Sequence, residues 1–575
     1  MWRLYLVFMF VGALFALLSW KVLDLQVFNN EVLQTQGDKR TVRNDVIAAH
    51  RGNIMDREGQ PLAISTPVKS LWVNPKELVQ QKHRWPELES ALSSFGINFQ
   101  VYENRIIADP EDEHLYIKRR LPPSDVEEIL KLDIPGVYEQ EEYKRYYPLG
   151  EVAVHFVGIT NSDDIGQEGL ELAYEDWLKG SPGSKQVLKD ERGGIIREVK
   201  VNEVAQPGRN LELSMDSRIQ FLAYKALKEE VVRRQAKSGS AVVLDVDSGE
   251  VLAMVNQPSY NPNNRENINP DGLRNRALMD LIEPGSTVKT FTITAALESG
   301  LFDEESTVDT SPGYIRVDRT TIRDPKNYEI VDLEKIITKS SQVGAVKIGL
   351  TLGEGPMLAV WSRVGVGEAI GSGFPGESTG VLPNRSRWSK ADIASLAYGY
   401  GFHVTPLQLA QAYLVYANGG IRKPVSLLKV NEEVSGQRVL DKNLVAKVSA
   451  MLETVVQPDH GGTGTRADIP AYKVAGKTGT AWHYDNEEQA YDDENYNSYF
   501  AGFAPASDPK IVVVVTIQEP KGEEYGGGQV AAPVFAKIAS GALRVLNAVP
   551  DKNVLEVTDS SLSQAGTNSM SIWRD

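Results

Sequence analysis

An uncharged apolar run near the N-terminus, LYLVFMFVGALFALLSW (residues 4–20), restricts most strongly what this chain can fold into. A run of this length is at the short end of what crosses a bilayer as a helix, and Arg3 and Lys21 bracket it. Trp20 and Lys21 stand where a signal-peptide cleavage site has small residues, so we predict an uncleaved signal anchor. Because almost nothing precedes the run, we expect the bulk of the chain to be exported.

The composition excludes several classes of function. The chain has 575 residues and 42% hydrophobic content, enough for two or more globular domains. Its formal net charge of −16 argues against nucleic-acid binding, because phosphate backbones require basic surfaces. There is no cysteine, which excludes thiol catalysis, disulfides and cysteine-ligated metals. None of the 7 histidines forms a His-x-x-x-His pair, so a histidine-based metal helix is not expected either.

Changes in composition divide the chain into four segments. After the anchor (residues 1–21), residues 22–212 mix charges, short apolar stretches and irregular Gly and Pro, which indicates a mixed α/β domain. Residues 213–548 have β-rich runs at both ends, SAVVLDVDSGEVLAMV and YNSYFAGFAPA with KIVVVVTIQ, and helical runs between them. This order predicts an α+β domain with an antiparallel sheet. The Ser- and Asn-rich residues 549–575 are predicted to be disordered.

The stretch EPGSTVKTFTITAALESG (residues 283–300) places a serine and a lysine at the start of an apolar helix that stops at Gly300. Ser286 can cap this helix, and Lys289 follows it by three residues. Residues i and i+3 on a helix have Cβ atoms about 5–6 Å apart, so the two side chains can touch. A serine becomes a nucleophile when a base takes its proton, and a lysine held neutral by apolar surroundings can be that base.

Other copies of such short patterns have the wrong surroundings. Ser-x-x-Lys also begins at Ser426 and Ser507, but in the second copy Pro509 precedes the lysine in a turn. The Gly-x-Ser-x-Gly pattern around Ser378 lies between loop-forming sequences, whereas a hydrolase elbow needs a strand before it and a helix after it. The GKT sequence in YKVAGKTGTAWH fails as a phosphate-binding loop, because Ala471 stands at the first glycine position and the alternation predicts a strand.

That strand presents three polar side chains, Lys477, Thr478 and Thr480, around Gly479. A strand glycine often marks the close approach of another backbone or a ligand. A cation and two hydroxyls beside a flat glycine would suit a peptide-like substrate with a carboxylate. A solvated edge strand explains the same pattern equally well.

A third stretch, TKSSQVGAVKIGL, indicates a loop that enters a helix, with Ser340, Ser341 and Gln342 at its start; alone it is an N-cap. In chain order, Ser-x-x-Lys, Ser-Ser-Gln and Lys-Thr-Gly resemble the Ser-x-x-Lys, Ser-x-Asn and Lys-Thr-Gly motifs of penicillin-binding proteins and serine β-lactamases. The sequences RGNIMDREGQPLA, RYYPLGEVAVHFVG and PGRNLELSMDSRIQ are similar to N-terminal signatures of class B penicillin-binding proteins. AYGYGFHVTPLQLAQAY is most similar to their septal, division-specific branch, and the resemblance covers nearly the whole chain.

The resemblance implies a mechanism that needs no metal or cofactor. Ser286 would attack the carbonyl of the penultimate D-alanine in a donor stem peptide, with Lys289 as its general base. Backbone N–H groups of Ser286 and Thr480 would form the oxyanion hole. Ser340 with Lys477 would pass a proton to the departing amine, and the amine of an acceptor stem peptide would then resolve the acyl-enzyme.

The substrate-binding residues are implied in the same way. Thr478 and Thr480, beside Gly479, would bind the substrate carboxylate. Gln342 stands where the family usually has asparagine, at a position that contacts a side-chain amide of the substrate or inhibitor. Glutamine is one methylene longer but has the same donors and acceptors, so we expect an altered preference among β-lactams.

The resemblance also implies an architecture and partners. The fold would be α+β: a transmembrane helix, a mixed α/β pedestal similar to a dimerisation domain (residues 22–212), and a penicillin-binding domain (213–548) with a five-stranded antiparallel sheet flanked by helices. The protein would be anchored in the bacterial inner membrane with its catalytic domain in the periplasm. Because class B proteins lack a glycosyltransferase domain, a SEDS-type (FtsW-type) glycosyltransferase and other division proteins would be partners. β-Lactams would be covalent inhibitors.

Two alternatives stay open on the sequence. One is the elongation-specific class B relative, against which GYGFHVTPLQLA argues. The other is a scaffold or sensor that β-lactams acylate but that does not cross-link. The long N-terminal region disfavours a sensor, and the anchor and pedestal disfavour a secreted β-lactamase.

Overall fold

The computed structural model describes residues 2–25, 42–189, 195–266, 268–485 and 490–552. Two units can be separated, the N-terminal unit (Met1–Asn53, Ile64–Tyr146, Asp176–Arg209) and the C-terminal unit (Ile54–Ala63, Tyr147–Glu175, Asn210–Asp575). Two segments of the C-terminal unit, 54–63 and 147–175, fall within the range that the sequence assigns to the pedestal, so the domain boundaries stay predictions. Residues 553–575, most of the tail predicted to be disordered, lie outside the described residues.

The first 212 residues contain short, alternating helices and strands. In chain order they are α1 (Trp2–Leu23), β1 (Val42–Ile47), β2 (Ile54–Met55), β3 (Pro61–Val73), α2 (Pro75–Leu78), α3 (Trp85–Ser94), α4 (Gln100–Ala108), β4 (Leu115–Leu121), α5 (Pro123–Leu130), β5 (Val137–Tyr146), α6 (Val154–Val157), β6 (Ile159–Thr160), β7 (Gly166–Glu168), α7 (Gly169–Ala173), α8 (Glu175–Leu178), β8 (Gly183–Lys189), β9 (Ile195–Glu203) and β10 (Leu211–Glu212).

The remaining elements are longer and more apolar. They are α9 (Ser217–Arg233), β11 (Ser238–Asp245), β12 (Val251–Gln257), α10 (Arg276–Met279), α11 (Lys289–Glu298), β13 (Thr307–Asp309), β14 (Tyr314–Val317), β15 (Thr320–Arg323), β16 (Ile330–Asp332), α12 (Leu333–Thr338), α13 (Gln342–Leu352), α14 (Glu354–Arg363), α15 (Lys390–Tyr398), α16 (Pro406–Ala417), β17 (Ile421–Arg422), β18 (Gln437–Arg438), α17 (Lys442–Thr454), β19 (Ala475–Asp485), β20 (Ala490–Ala504), β21 (Ile511–Gln518) and α18 (Gly527–Val545).

Helix α1 contains the apolar run predicted to be an anchor. It has 22 residues, a stretch with a mean hydropathy of 2.2, and no buried side chain. A helix that is apolar on every face, and that does not bury these faces against the described part of the protein, is suited to lipid. Its length is sufficient to cross a bilayer.

The N-terminal unit contains two antiparallel sheets. From Ile64 onward, β3 pairs with both β4 and β5, and in the second sheet β8 lies between β1 and β9. Helices α3, α4 and α5 contribute Leu88, Ile106 and Val126 to a core that also contains Leu71 of β3. The mixed α/β character predicted for this region follows from such short elements, each of which buries one face.

The C-terminal unit is built on a five-stranded sheet in the order β12-β11-β21-β20-β19, with every neighbouring pair antiparallel. The two strands from the start of this segment, β11 and β12, thus share one sheet with the three from its end, β19, β20 and β21. This arrangement confirms the predicted antiparallel sheet. Helices α9 and α18 pack on one face and α16 on the other. Because both faces are covered, β21 is a continuous apolar run, IVVVVTIQ, and is buried from Ile511 to Ile517.

A backbone contact between α15 and the segment before α11 depends on Gly399. This residue ends α15 with φ +102°, and its carbonyl accepts a hydrogen bond from the Gly285 N–H at 3.1 Å. A Cβ atom at position 399 would lie 2.0 Å from the Gly285 carbonyl oxygen. Gly401 also has a positive φ, +81°, but a Cβ there would have open space around it.

We therefore expect Gly399→Ala to lower the melting temperature of the full-length protein in detergent much more than Gly401→Ala does. A left-handed conformation alone costs a non-glycine residue about 1–2 kcal/mol, which both variants incur. Only Gly399→Ala also forces two backbones apart. Equal losses in the two variants would show that conformation, and not the contact with Gly285, decides the effect.

Candidate active site

Ser286 lies in a 3₁₀ turn, Gly285–Val288, that leads directly into α11 at Lys289. The sequence predicts one α-helix with Ser286 as a possible cap; the structure instead has this tighter turn, without a side-chain cap. Side chains three residues apart eclipse one another in a 3₁₀ turn. Accordingly, Lys289 Nζ donates a hydrogen bond to Ser286 Oγ at 3.0 Å. Ser286 is partly exposed, whereas Lys289 is fully buried.

Lys289 also contacts the loop between α12 and α13. Its Nζ donates to the Ser340 carbonyl oxygen at 2.6 Å and to Ser340 Oγ at 3.2 Å. Burial lowers the pKa of Lys289 to about 7, although the negative charge of Asp324 acts in the opposite direction. A substantial fraction of this amine is therefore neutral near pH 7, which is the state that can accept a proton from a serine hydroxyl.

The loop that presents Ser340 is fixed by the carboxylate of Asp324. Asp324 Oδ1 accepts hydrogen bonds from the backbone N–H groups of Gln342 (2.6 Å) and Val343 (3.2 Å), and Oδ2 accepts one from Ser341 Oγ (2.6 Å). Ser341 Oγ in turn caps α13, as the sequence predicts for this stretch. Ser340 has φ +56°, a left-handed conformation that is uncommon for serine.

Lys477 approaches from the edge strand of the sheet. It is fully buried in β19, and its Nζ donates to the Thr478 carbonyl oxygen at 3.2 Å. Burial lowers the pKa of Lys477 well below its usual range, and the nearby charge of Lys289 lowers it further. On the same strand, Thr478 Oγ1 lies 2.7 Å from Thr463 Oγ1, and Thr480 Oγ1 accepts a hydrogen bond from the Gly527 N–H at 3.1 Å.

Gly479 allows the Ser286 turn and β19 to pack directly on each other. A Cβ at this position would lie 2.9 Å from Thr287 Cγ2, 3.0 Å from Tyr499 Cδ2 and 3.1 Å from the Pro284 carbonyl oxygen. These distances explain why a glycine occupies this strand position. The edge strand and the turn with Ser286 are therefore neighbours.

The serines of the three short patterns with unsuitable surroundings form hydrogen bonds elsewhere in the structure. Ser378 Oγ donates to the Met279 carbonyl oxygen at 3.0 Å, and Ser426 Oγ donates to the Leu428 carbonyl oxygen at 2.7 Å. Ser507 Oγ donates to an aspartate carboxylate at 2.7 Å. Sequence reasoning missed Asp324, because a carboxylate 17 positions from the serine it contacts leaves no local pattern.

Comparison with known proteins identifies the family. A family model described as "Penicillin binding protein transpeptidase domain" matches residues 239–540, and another described as "Penicillin-binding Protein dimerisation domain" matches residues 46–213. The chain is 41% identical over 548 residues to the probable peptidoglycan D,D-transpeptidase PbpC of Pseudomonas aeruginosa, covering 95% of this chain and 96% of that protein. It is 40% identical over 555 residues to the peptidoglycan D,D-transpeptidase FtsI of Escherichia coli, covering 96% and 93%.

Solved structures agree with this assignment. Penicillin-binding protein 3 from Mycobacterium tuberculosis, complexed with aztreonam, aligns with a TM-score of 0.68 and 26% identity, over 89% of this chain and 99% of that chain. The transpeptidase domain of penicillin-binding protein 3 from Burkholderia pseudomallei aligns with a TM-score of 0.54 and 38% identity, over 59% and 98%. The chain belongs to the class B penicillin-binding proteins, in the family of peptidoglycan D,D-transpeptidases. With the apolar helix α1, it is a single-pass membrane protein.

We expect Asp324→Asn to lower the free energy of unfolding by about 1–3 kcal/mol, because an amide cannot replace both acceptor oxygens of a buried carboxylate. The rate at which a β-lactam acylates the protein should fall as well, since the Ser340 loop would lose its anchor. Asp332→Asn is the matched control: Asp332 caps α12 through the Lys335 N–H at 2.7 Å, and asparagine caps helices equally well. Denaturant unfolding and acylation rates that are alike in the two variants would contradict this role for Asp324.

Proposed function

We propose that this protein is a serine D,D-transpeptidase that cross-links peptidoglycan stem peptides during septal cell-wall synthesis. The observation that carries the proposal is the position of Lys289, which is fully buried and within hydrogen-bond distance of both Ser286 Oγ and Ser340 Oγ. A nucleophile, a base that is partly neutral near pH 7 and a second hydroxyl together suit acyl transfer through a serine ester.

In the first step, Lys289 takes the Ser286 proton while Oγ bonds to the carbonyl carbon of the penultimate D-alanine. The N–H groups of Ser286 and Thr480 stabilise the oxyanion, because one lies in a turn at a helix N-terminus and the other on the facing strand. The bond to the last D-alanine then breaks. The proton on Lys289 passes to Ser340 Oγ, which lies 3.2 Å away and which, with Lys477, delivers a proton to the departing amine; the ester remains on Ser286.

In the second step, the amine of an acceptor stem peptide attacks the ester carbonyl and gives a proton to Lys289. The bond from the carbonyl carbon to Ser286 Oγ then breaks, and Lys289 returns the proton to Oγ. The product is a peptide cross-link, and no metal or cofactor takes part. Thr478 and Thr480 hold the carboxylate of the substrate beside Gly479. Gln342, at the start of α13, faces the side-chain amide, and its altered β-lactam preference stays a prediction. A β-lactam follows the first step only, which leaves a stable ester.

The septal role is supported by the names of the relatives, several of which are FtsI proteins. On this proposal the catalytic unit lies in the periplasm of a Gram-negative-type envelope, with α1 in the inner membrane. A SEDS-type glycosyltransferase supplies the glycan strands, and further division proteins dock on the N-terminal unit or on α1. An elongation role would instead give spherical cells on depletion, where a septal role gives filaments.

Intact-mass spectrometry of the full-length protein with benzylpenicillin tests the nucleophile. We expect one long-lived adduct on the peptide that contains Ser286, and none in Ser286→Ala. Ser378→Ala, whose hydroxyl only donates to a backbone carbonyl, should acylate like the wild type. Rapid loss of the adduct would indicate a hydrolase, and a persistent adduct without cross-linking of stem peptides would favour a scaffold or sensor.

The acylation rate should also depend on pH in a defined direction. Because burial lowers the pKa of Lys289 to about 7, this lysine loses its proton as the pH rises through 7. We expect the rate of acylation to increase about tenfold per pH unit below 7 and to level off above about 8. Lys289→Arg should be inactive throughout, since a guanidinium does not deprotonate. A rate that is flat from pH 6 to 9, or that rises only near pH 10, would exclude Lys289 as the base.

A further inference from the structure

A hairpin in the C-terminal unit carries positive charges that the mechanism above does not use. Its strands β14 and β15 are antiparallel, with Tyr314 opposite Arg323 and Arg316 opposite Thr321. The hairpin buries Ile322, and side chains alternate between the two faces of a strand. Arg316 and Arg323 therefore share the other face, where both are exposed.

Two more cations extend this exposed face. Arg319 lies in the turn of the hairpin and Lys326 follows the end of β15, and both are exposed. We call Arg316, Arg319, Arg323 and Lys326 the basic surface. Within the described part of the chain, none of these four side chains forms an ion pair or a hydrogen bond. Their charges are therefore available to a ligand.

The carboxylates of the same stretch do not pair with the basic surface. Asp318 Oδ2 accepts a hydrogen bond from the Ala391 N–H at 3.1 Å, and Asp324 binds the backbone of the Ser340 loop. Residues 316–326 thus contain four cations and two carboxylates, in a chain whose formal net charge is −16. A polyanion that most of the chain repels would be attracted to this surface.

Aromatic rings hold two of the cations in place. The guanidinium of Arg323 lies 5.3 Å from the ring centre of Tyr314, and the ammonium of Lys326 lies 5.6 Å from that of Tyr328. Tyr314 is itself 46% exposed, so this contact orders Arg323 without removing it from the surface. Side chains that are already ordered lose less conformational freedom when a ligand binds.

The basic surface adjoins the loop that carries Ser340. Asp324, which binds the backbone of this loop, is flanked in sequence by Arg323 and Lys326. Lys326 is also close to Lys339, the residue before Ser340: partial burial lowers the pKa of Lys339, and the charge of Lys326 lowers it further. A polymer with one group in the candidate active site can therefore reach the basic surface with another.

We propose that the basic surface docks a peptidoglycan strand through the carboxylates of stem peptides other than the one that reacts. Stem peptides repeat along a glycan strand, and a guanidinium can bind a carboxylate through two parallel hydrogen bonds. One exposed ion pair contributes little, but several on one polymer reinforce each other, because the first contact raises the effective concentration for the next. The identity of the polymer rests on the proposed function; the preference for a polyanion rests on the surface alone.

Co-sedimentation with purified peptidoglycan sacculi tests the proposal. The background is full-length Ser286→Ala in detergent, so that binding is measured without turnover. At low ionic strength we expect Arg316→Gln combined with Arg323→Gln to weaken binding about fivefold. The matched control combines Lys225→Gln and Lys442→Gln, which remove two exposed charges from α9 and α17, and should bind like the background. Equal binding of the two double variants would overturn the proposal.

A gain of function makes the test independent of any loss of folding. Thr321→Lys adds a cation to the exposed face of the hairpin and should strengthen binding. Added salt should weaken binding of the background more than binding of the double arginine variant, because salt screens exposed charges. Binding that neither Thr321→Lys nor salt changes would contradict a role for the basic surface.

Control polymers identify the anion. Sacculi whose carboxylates have been capped as neutral amides keep the polymer but lose its negative charges, and they should bind the background and the double arginine variant alike. A difference that persists with capped sacculi would overturn the role of the carboxylates. Poly-glutamate that binds this surface more tightly than sacculi, at equal carboxylate concentration, would assign the surface to an acidic protein segment and overturn the proposal as well.

Failure of the docking surface is distinguishable from failure of the proposed function. With Ser286 intact, the double arginine variant should form the benzylpenicillin adduct at the wild-type rate, because this small inhibitor carries no polymer. Slower acylation would show instead that the substitutions disturb the Ser340 loop, which would overturn a pure docking role. An adduct without surface-dependent sedimentation would leave a transpeptidase that lacks this docking surface. Surface-dependent sedimentation without an adduct would retain the docking surface and remove the proposed chemistry.

Discussion

The burial of the Lys289 ammonium site is the constraint on which the rest of the catalytic unit depends. Removing a charged amine from water costs several kcal/mol, and the protein avoids this cost by releasing the proton near pH 7. Lys477 is buried close by, and the charge of Lys289 adds to the burial that lowers the pKa of Lys477. Such an arrangement has to be imposed by its surroundings. The five-stranded sheet, with helices on both faces, supplies the stability that offsets it.

Close backbone packing imposes the arrangement. Gly479, Gly285 and Gly399 form a row in which each glycine lets the next backbone approach, from the edge strand through the Ser286 turn to the end of α15. Below the turn, α11 is held in the core: Thr290 Oγ1 lies 3.1 Å from the Tyr413 hydroxyl, which itself donates to the Thr287 carbonyl oxygen at 2.8 Å. These contacts hold the turn with Ser286 beside Lys289.

Local sequence patterns predicted part of the fold and part of the candidate active site, but not all of either. The contact of Ser286 with Lys289 follows from helical spacing, and the sheet follows from apolar alternation at the two ends of one segment. The 3₁₀ form of the turn was not predictable, because packing against Gly479 and Gly399 decides it. Asp324 was missed for a similar reason, since the helix it caps begins at Gln342 and only tertiary structure brings the two together.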